Sequence, residues 1–88
     1  MDMAISSSDK EVVATVTKSV MERNGLSMSR FATDLGTDRQ RVFQWVNGST
    51  IPNTKIVAEA LKKGRNSPGK EHLLEWGRSI LDGLAGGD

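Results

Sequence analysis

LSMSRFATDLGTDRQRVFQWVNGSTIP, Leu26 to Pro52, is the stretch that decides the fold. Apolar residues recur in it at helical spacing, with Phe31, Ala32 and Leu35 before Gly36 and Val42, Trp45 and Val46 after it. Ser27 suits the cap of a helix through Leu35, and Gly36 ends that helix. Thr37 or Asp38 caps a second helix to about Val46, which Asn47-Gly48 closes. Helices of about eight residues are marginal alone in water, so tertiary packing must hold them. Ala32 is small where the two axes approach, and Gly36 accepts the positive φ of a sharp turn. Val42 and Trp45 then lock the second short helix onto the first. The second helix is left projecting, which is the recipe of the helix-turn-helix motif.

Working outward, Ser8 and Glu11 form a capping box for a preceding helix carrying Val12, Val13, Val16 and Val20. Asn24-Gly25 stops it, and residues 1–7 are expected as a flexible arm. Asn53 or Thr54 opens a fourth helix with Ile56, Val57, Ala60 and Leu61, closed by Gly64. After a loop from Arg65 to Gly69, Ser67-Pro68 is expected to begin a fifth helix bearing Leu73, Leu74, Trp76, Ile80, Leu81 and Leu84. Gly83 and Gly86-Gly87 fray its end. Nothing reads as a strand. The expected class is all-α: a compact bundle of about five short helices, with the helix-turn-helix domain at 8–64 and a C-terminal helix and tail at 65–88.

The chain has 88 residues, no cysteine, one histidine and a formal net charge of +1. That length suits one domain. Disulfides and thiolate metal sites are excluded, and neither a signal peptide nor a membrane span is legible, so a cytoplasmic protein is expected. Charge is unevenly spread: Lys55, Lys62, Lys63, Arg65 and Lys70 face only Glu59 between 55 and 70, whereas the ends are more acidic. A basic middle suits a polyanionic partner. The bases at the end of the fourth helix also relieve its dipole. No carboxylate pair or glycine-rich phosphate loop is present, and His72 reads as a surface residue, so neither an enzyme nor a metal or cofactor site is expected.

The stretch from Leu26 to Pro52 resembles the lambda-repressor-like, Cro/CI-type helix-turn-helix domains. Leu26-Ser27, Phe31-Ala32, Leu35-Gly36, Val42, Trp45, Asn47-Gly48 and Pro52 stand where that family places its signature residues, and the likeness extends from about Val12 to Leu61. Three features depart from it: Met28 replaces a frequent glutamine, Arg30 replaces a usual acidic residue, and the connection from Trp45 to Leu61 is short. The resemblance implies a sequence-specific regulator of transcription that binds double-stranded DNA, of the repressor kind found in phages and mobile elements. The host would be a bacterial cell or a phage-infected one.

Rotation of about 100° per residue places Val42, Trp45 and Val46 inward and Gln40 and Gln44 outward. Arg39 stands in the first turn, where a groove-inserted helix reaches base edges. Arginine can grip guanine through two hydrogen bonds and glutamine can do so with adenine. Arg39, Gln40, Gln44 and Phe43 are therefore the candidate base readers, Phe43 by contact with a thymine methyl or, equally, by packing on a neighbouring helix. Ser27, Ser29, Arg30, Arg41, Asn47 and Lys55 are candidate phosphate contacts. For Asn47, helix capping is the competing role. Leu73, Trp76, Ile80 and Leu84 form a stripe that serves either the domain's own core or, as expected here, a homodimer interface. The rival functional reading is a protein-interaction module, such as an antitoxin or phage factor that binds another protein.

Overall fold

The computed structural model describes residues 2–85, with side-chain surroundings given for 9–84. Five helices follow one another: α1 (Asp2–Arg23), α2 (Met28–Leu35), α3 (Arg39–Val46), α4 (Thr54–Asn66) and α5 (Glu71–Ala85). No strand occurs among the described residues. The all-α expectation holds.

The three expected caps close the N-termini of α2, α3 and α4. Ser27 Oγ accepts from Arg30 N at 3.1 Å, Asp38 Oδ1 from Arg41 N at 2.9 Å, and Asn53 Oδ1 from Ile56 N at 2.9 Å. Each satisfies an amide that the helix itself leaves unpaired. At the turn between α2 and α3, Gly36 takes φ +88°. Its N–H donates to Thr33 O at 3.2 Å while Thr37 N donates to Ala32 O at 2.9 Å. That pair of bonds is the Schellman closure, and it reverses the chain within two residues.

Three boundaries differ from expectation. Helix α1 begins at Asp2, so the backbone expected as an arm is helical from residue 2; Met1 lies outside the described residues. Propagating an existing helix costs less than nucleating one, so the Ser8–Glu11 box does not force a start there. Helix α4 runs through Gly64 to Asn66. Gly64 is a point of contact instead of a stop, because a Cβ there would fall inside the backbone of Leu74 on α5. Helix α5 begins at Glu71, after Pro68, because Gly69 at φ +89° breaks the helical path; the Glu71 carboxylate accepts from Gly69 N at 3.1 Å. The expected fraying at Gly86-Gly87 lies outside the described residues.

The core gathers around Trp76. Its indole stacks on Trp45 of α3 at 5.5 Å and 27°, and meets Phe31 of α2 edge-on at 5.5 Å. Its Nε1 donates to the buried Thr17 Oγ1 of α1 at 2.9 Å, so the polar atom of a buried ring has its partner. Leu73, Trp76 and Ile80 are wholly buried in this chain's own core, and Leu84 packs partly against it. The stripe expected to pair two copies is therefore not a surface. Helix α5 needs that face to cover α1 and α4, which the first four helices alone leave open. His72 is likewise buried, not exposed, with Nε2 at 3.0 Å from Asp34 Oδ2 of α2.

Candidate nucleic-acid interface

Burying Val42 and Trp45 fixes which way α3 turns its other side chains. Arg39, Gln40, Arg41 and Phe43 are exposed and Gln44 is half-buried. Phe43 keeps 50% of its surface in solvent, so it packs only in part on its neighbours. The expected base readers thus share one helix face that is accessible at Arg39, Gln40 and Phe43 and partly so at Gln44.

Arg41 turns toward α4. Together with Lys55 and Lys63 it lines an open cleft of about 610 Å³ beside the turn, in which Asp38 and Glu59 supply the acidic side chains. Lys63 Nζ donates to Leu35 O at 2.8 Å, so this lysine closes the carbonyl end of α2 across 28 positions. The sequence reading assigned Lys63 to the end of its own helix; only the packing of α4 on α2 reveals the other role. A neighbouring cleft of about 240 Å³ brings Arg41 and Gln44 beside Thr50, Ile51 and Asn53. Ile51, exposed at 42%, was missed, since a loop residue following Asn47-Gly48 has no periodicity to mark it.

The remaining phosphate candidates divide into two groups. Ser27, Ser29 and Arg30 stand exposed at the start of α2. Ser27 Oγ is engaged as the cap, and the Arg30 guanidinium lies 3.5 Å from Asp34 Oδ2 on its own helix. Asn47 ends α3, with Oδ1 accepting from Ser49 N at 3.0 Å. Asn47 thus occupies the C-cap position with its amide oxygen engaged just beyond the helix, which leaves its NH₂ group as a donor. Lys55 is exposed in the first turn of α4. Anions favour such an end, where amide groups and the positive pole of the helix coincide.

A family model described as helix-turn-helix matches residues 18–64, 47 of the 88. The chain belongs to the Cro/CI-type helix-turn-helix family. No curated protein and no solved structure matches the chain. Membership in the Cro/CI-type family gives the coarse function, a DNA-binding helix-turn-helix regulator. The matched segment ends at Gly64, the residue that lies against Leu74, so α5 stands beyond the family segment although its tryptophan centres the core. No described helix is long and apolar enough to cross a membrane.

Proposed function

We propose that this Cro/CI-type domain is a sequence-specific transcriptional regulator, of the repressor kind found in phages and mobile elements, acting in the cytoplasm without enzymatic activity. Helix α3 enters the major groove; Arg39, Gln40 and Gln44 read base edges and Phe43 meets a thymine methyl. Arg41 and Lys55 hold one phosphate strand, while Ser27, Ser29, Arg30 and Asn47 supply further backbone contacts. The observation that carries this reading is the exposed polar face of α3 behind a buried Val42–Trp45 seam. A homodimer belongs to the proposal through the outer edge of α5, where Leu81 is 45% exposed.

Selection of bound sites from a random duplex pool tests this. A defined motif, with affinity that falls steeply as salt rises, is the expected result. Paired half-sites about 34 Å apart would mark the dimer. Exposed Phe43 and Ile51 also suit a protein partner, which is the second reading. An unenriched pool, with no salt-dependent duplex binding, would favour that one.

A further inference from the structure

A helix lying in the major groove has a sugar-phosphate strand on either side of it. The Arg41–Lys55 cleft serves one flank of α3. On the other flank, α1 and the end of α3 border an open cleft of about 560 Å³. Lys10 and Lys18 of α1 line it together with Asn47 and Gly48, and Glu11 contributes the carboxylate. Residues four apart stack on one helix face, so Lys10, Ala14 and Lys18 form a row in which the small central residue leaves the cleft open. A rise of 1.5 Å per residue sets the two lysines about 12 Å apart along α1. Each strand of a duplex carries a charge about every 3.4 Å along its axis, so such a row can meet more than one phosphate. Both lysines are exposed, and neither joins an ion pair among the described residues.

We infer that this α1–α3 cleft is a second backbone-binding surface, which grips the phosphate strand across the groove from Arg41 and Lys55. Lys10 and Lys18 supply charge, and the Asn47 NH₂ donates to a phosphate oxygen while Oδ1 stays on Ser49 N. Lys10 lies outside the family-matched segment, whereas Lys18 and Asn47 lie within it, so the N-terminal reach of α1 extends the surface beyond that segment. The inference rests on the duplex-binding reading above.

Titration of a mixed-sequence duplex at several salt concentrations tests it, using the whole chain and the K10Q/K18Q variant. Lysine and glutamine have similar helix propensity, so the fold is retained, and thermal melting verifies this. The slope of log affinity against log salt should become shallower by about 1–2, at about 0.9 per lost phosphate contact. Base preference in the selected motif should not change. Glu11→Gln should tighten binding. An unaltered chain that binds with a steep salt slope, alongside a K10Q/K18Q variant of equal slope, overturns the cleft and leaves the duplex reading standing. An unaltered chain that binds no duplex overturns both.

Discussion

Arg39 follows directly on the Asp38 cap, so its side chain leaves the first turn of α3 while its backbone is held by the capped end. On the proposed reading, a guanidinium placed there reads one base pair through two parallel bonds, and its removal should be felt at that base pair alone. Arg39→Ala is expected to cost about 1–3 kcal/mol on the selected site and to relax discrimination at one position. Titration against a panel of singly substituted duplexes measures it. An equal loss on every sequence would make Arg39 a phosphate contact instead. The outward set on α3 was legible because two buried residues, Val42 and Trp45, fix the phase of a helix. His72 was not. Beside Glu71 it looks solvated, and its partner Asp34 stands 38 positions away. Burial there depends on where α5 crosses α2, which no local pattern encodes.

The starts of α2, α3 and α4 were readable because a cap acts over three residues: Ser27, Asp38 and Asn53 each accept from the amide three positions on, whereas α1 and α5 begin away from their expected caps. Glycines were less so. Gly36 ends a helix and Gly64 sits within one, yet both follow an apolar helical run. A Cβ at the first would meet only the flexible tip of Lys63 from α4, whereas the second lies against the backbone of α5, and that is a long-range fact. The same distinction predicts opposite causes of damage. At Gly36 a side chain would be strained by the left-handed backbone. At Gly64 the backbone tolerates alanine, but the methyl group would displace Leu74 and separate α4 from α5. Gly64→Ala should therefore lower stability by at least the ~1–3 kcal/mol usual for overpacking, because the obstacle is backbone that cannot rotate aside. Urea unfolding followed by circular dichroism measures the change; a midpoint equal to that of the unaltered chain would mean the two helices do not pack this closely in solution.

At the scale of the molecule, the question is whether the family-matched segment stands without its neighbours. Its short α2 and α3 cannot persist alone, and the side chain on which Phe31 and Trp45 converge is Trp76, from outside the match. A buried tryptophan removes about 150–250 Å² from water, and leucine and isoleucine contribute about 1.5–3 kcal/mol each. At ~25 cal/mol per Å², Trp76, Leu73 and Ile80 together supply about 7–12 kcal/mol. That is comparable to the ~5–15 kcal/mol net stability of a whole domain. Removal of residues 67–88 should therefore abolish cooperative folding as well as any contact that α5 makes. The expected signature is a large loss of helical ellipticity, with Trp45 emission shifted to the red as its stacking partner disappears. Duplex binding should vanish with it, although none of the proposed DNA contacts lies on α5. A truncated chain that melts cooperatively would show that α5 is an appendage and that residues 2–66 close a core by themselves.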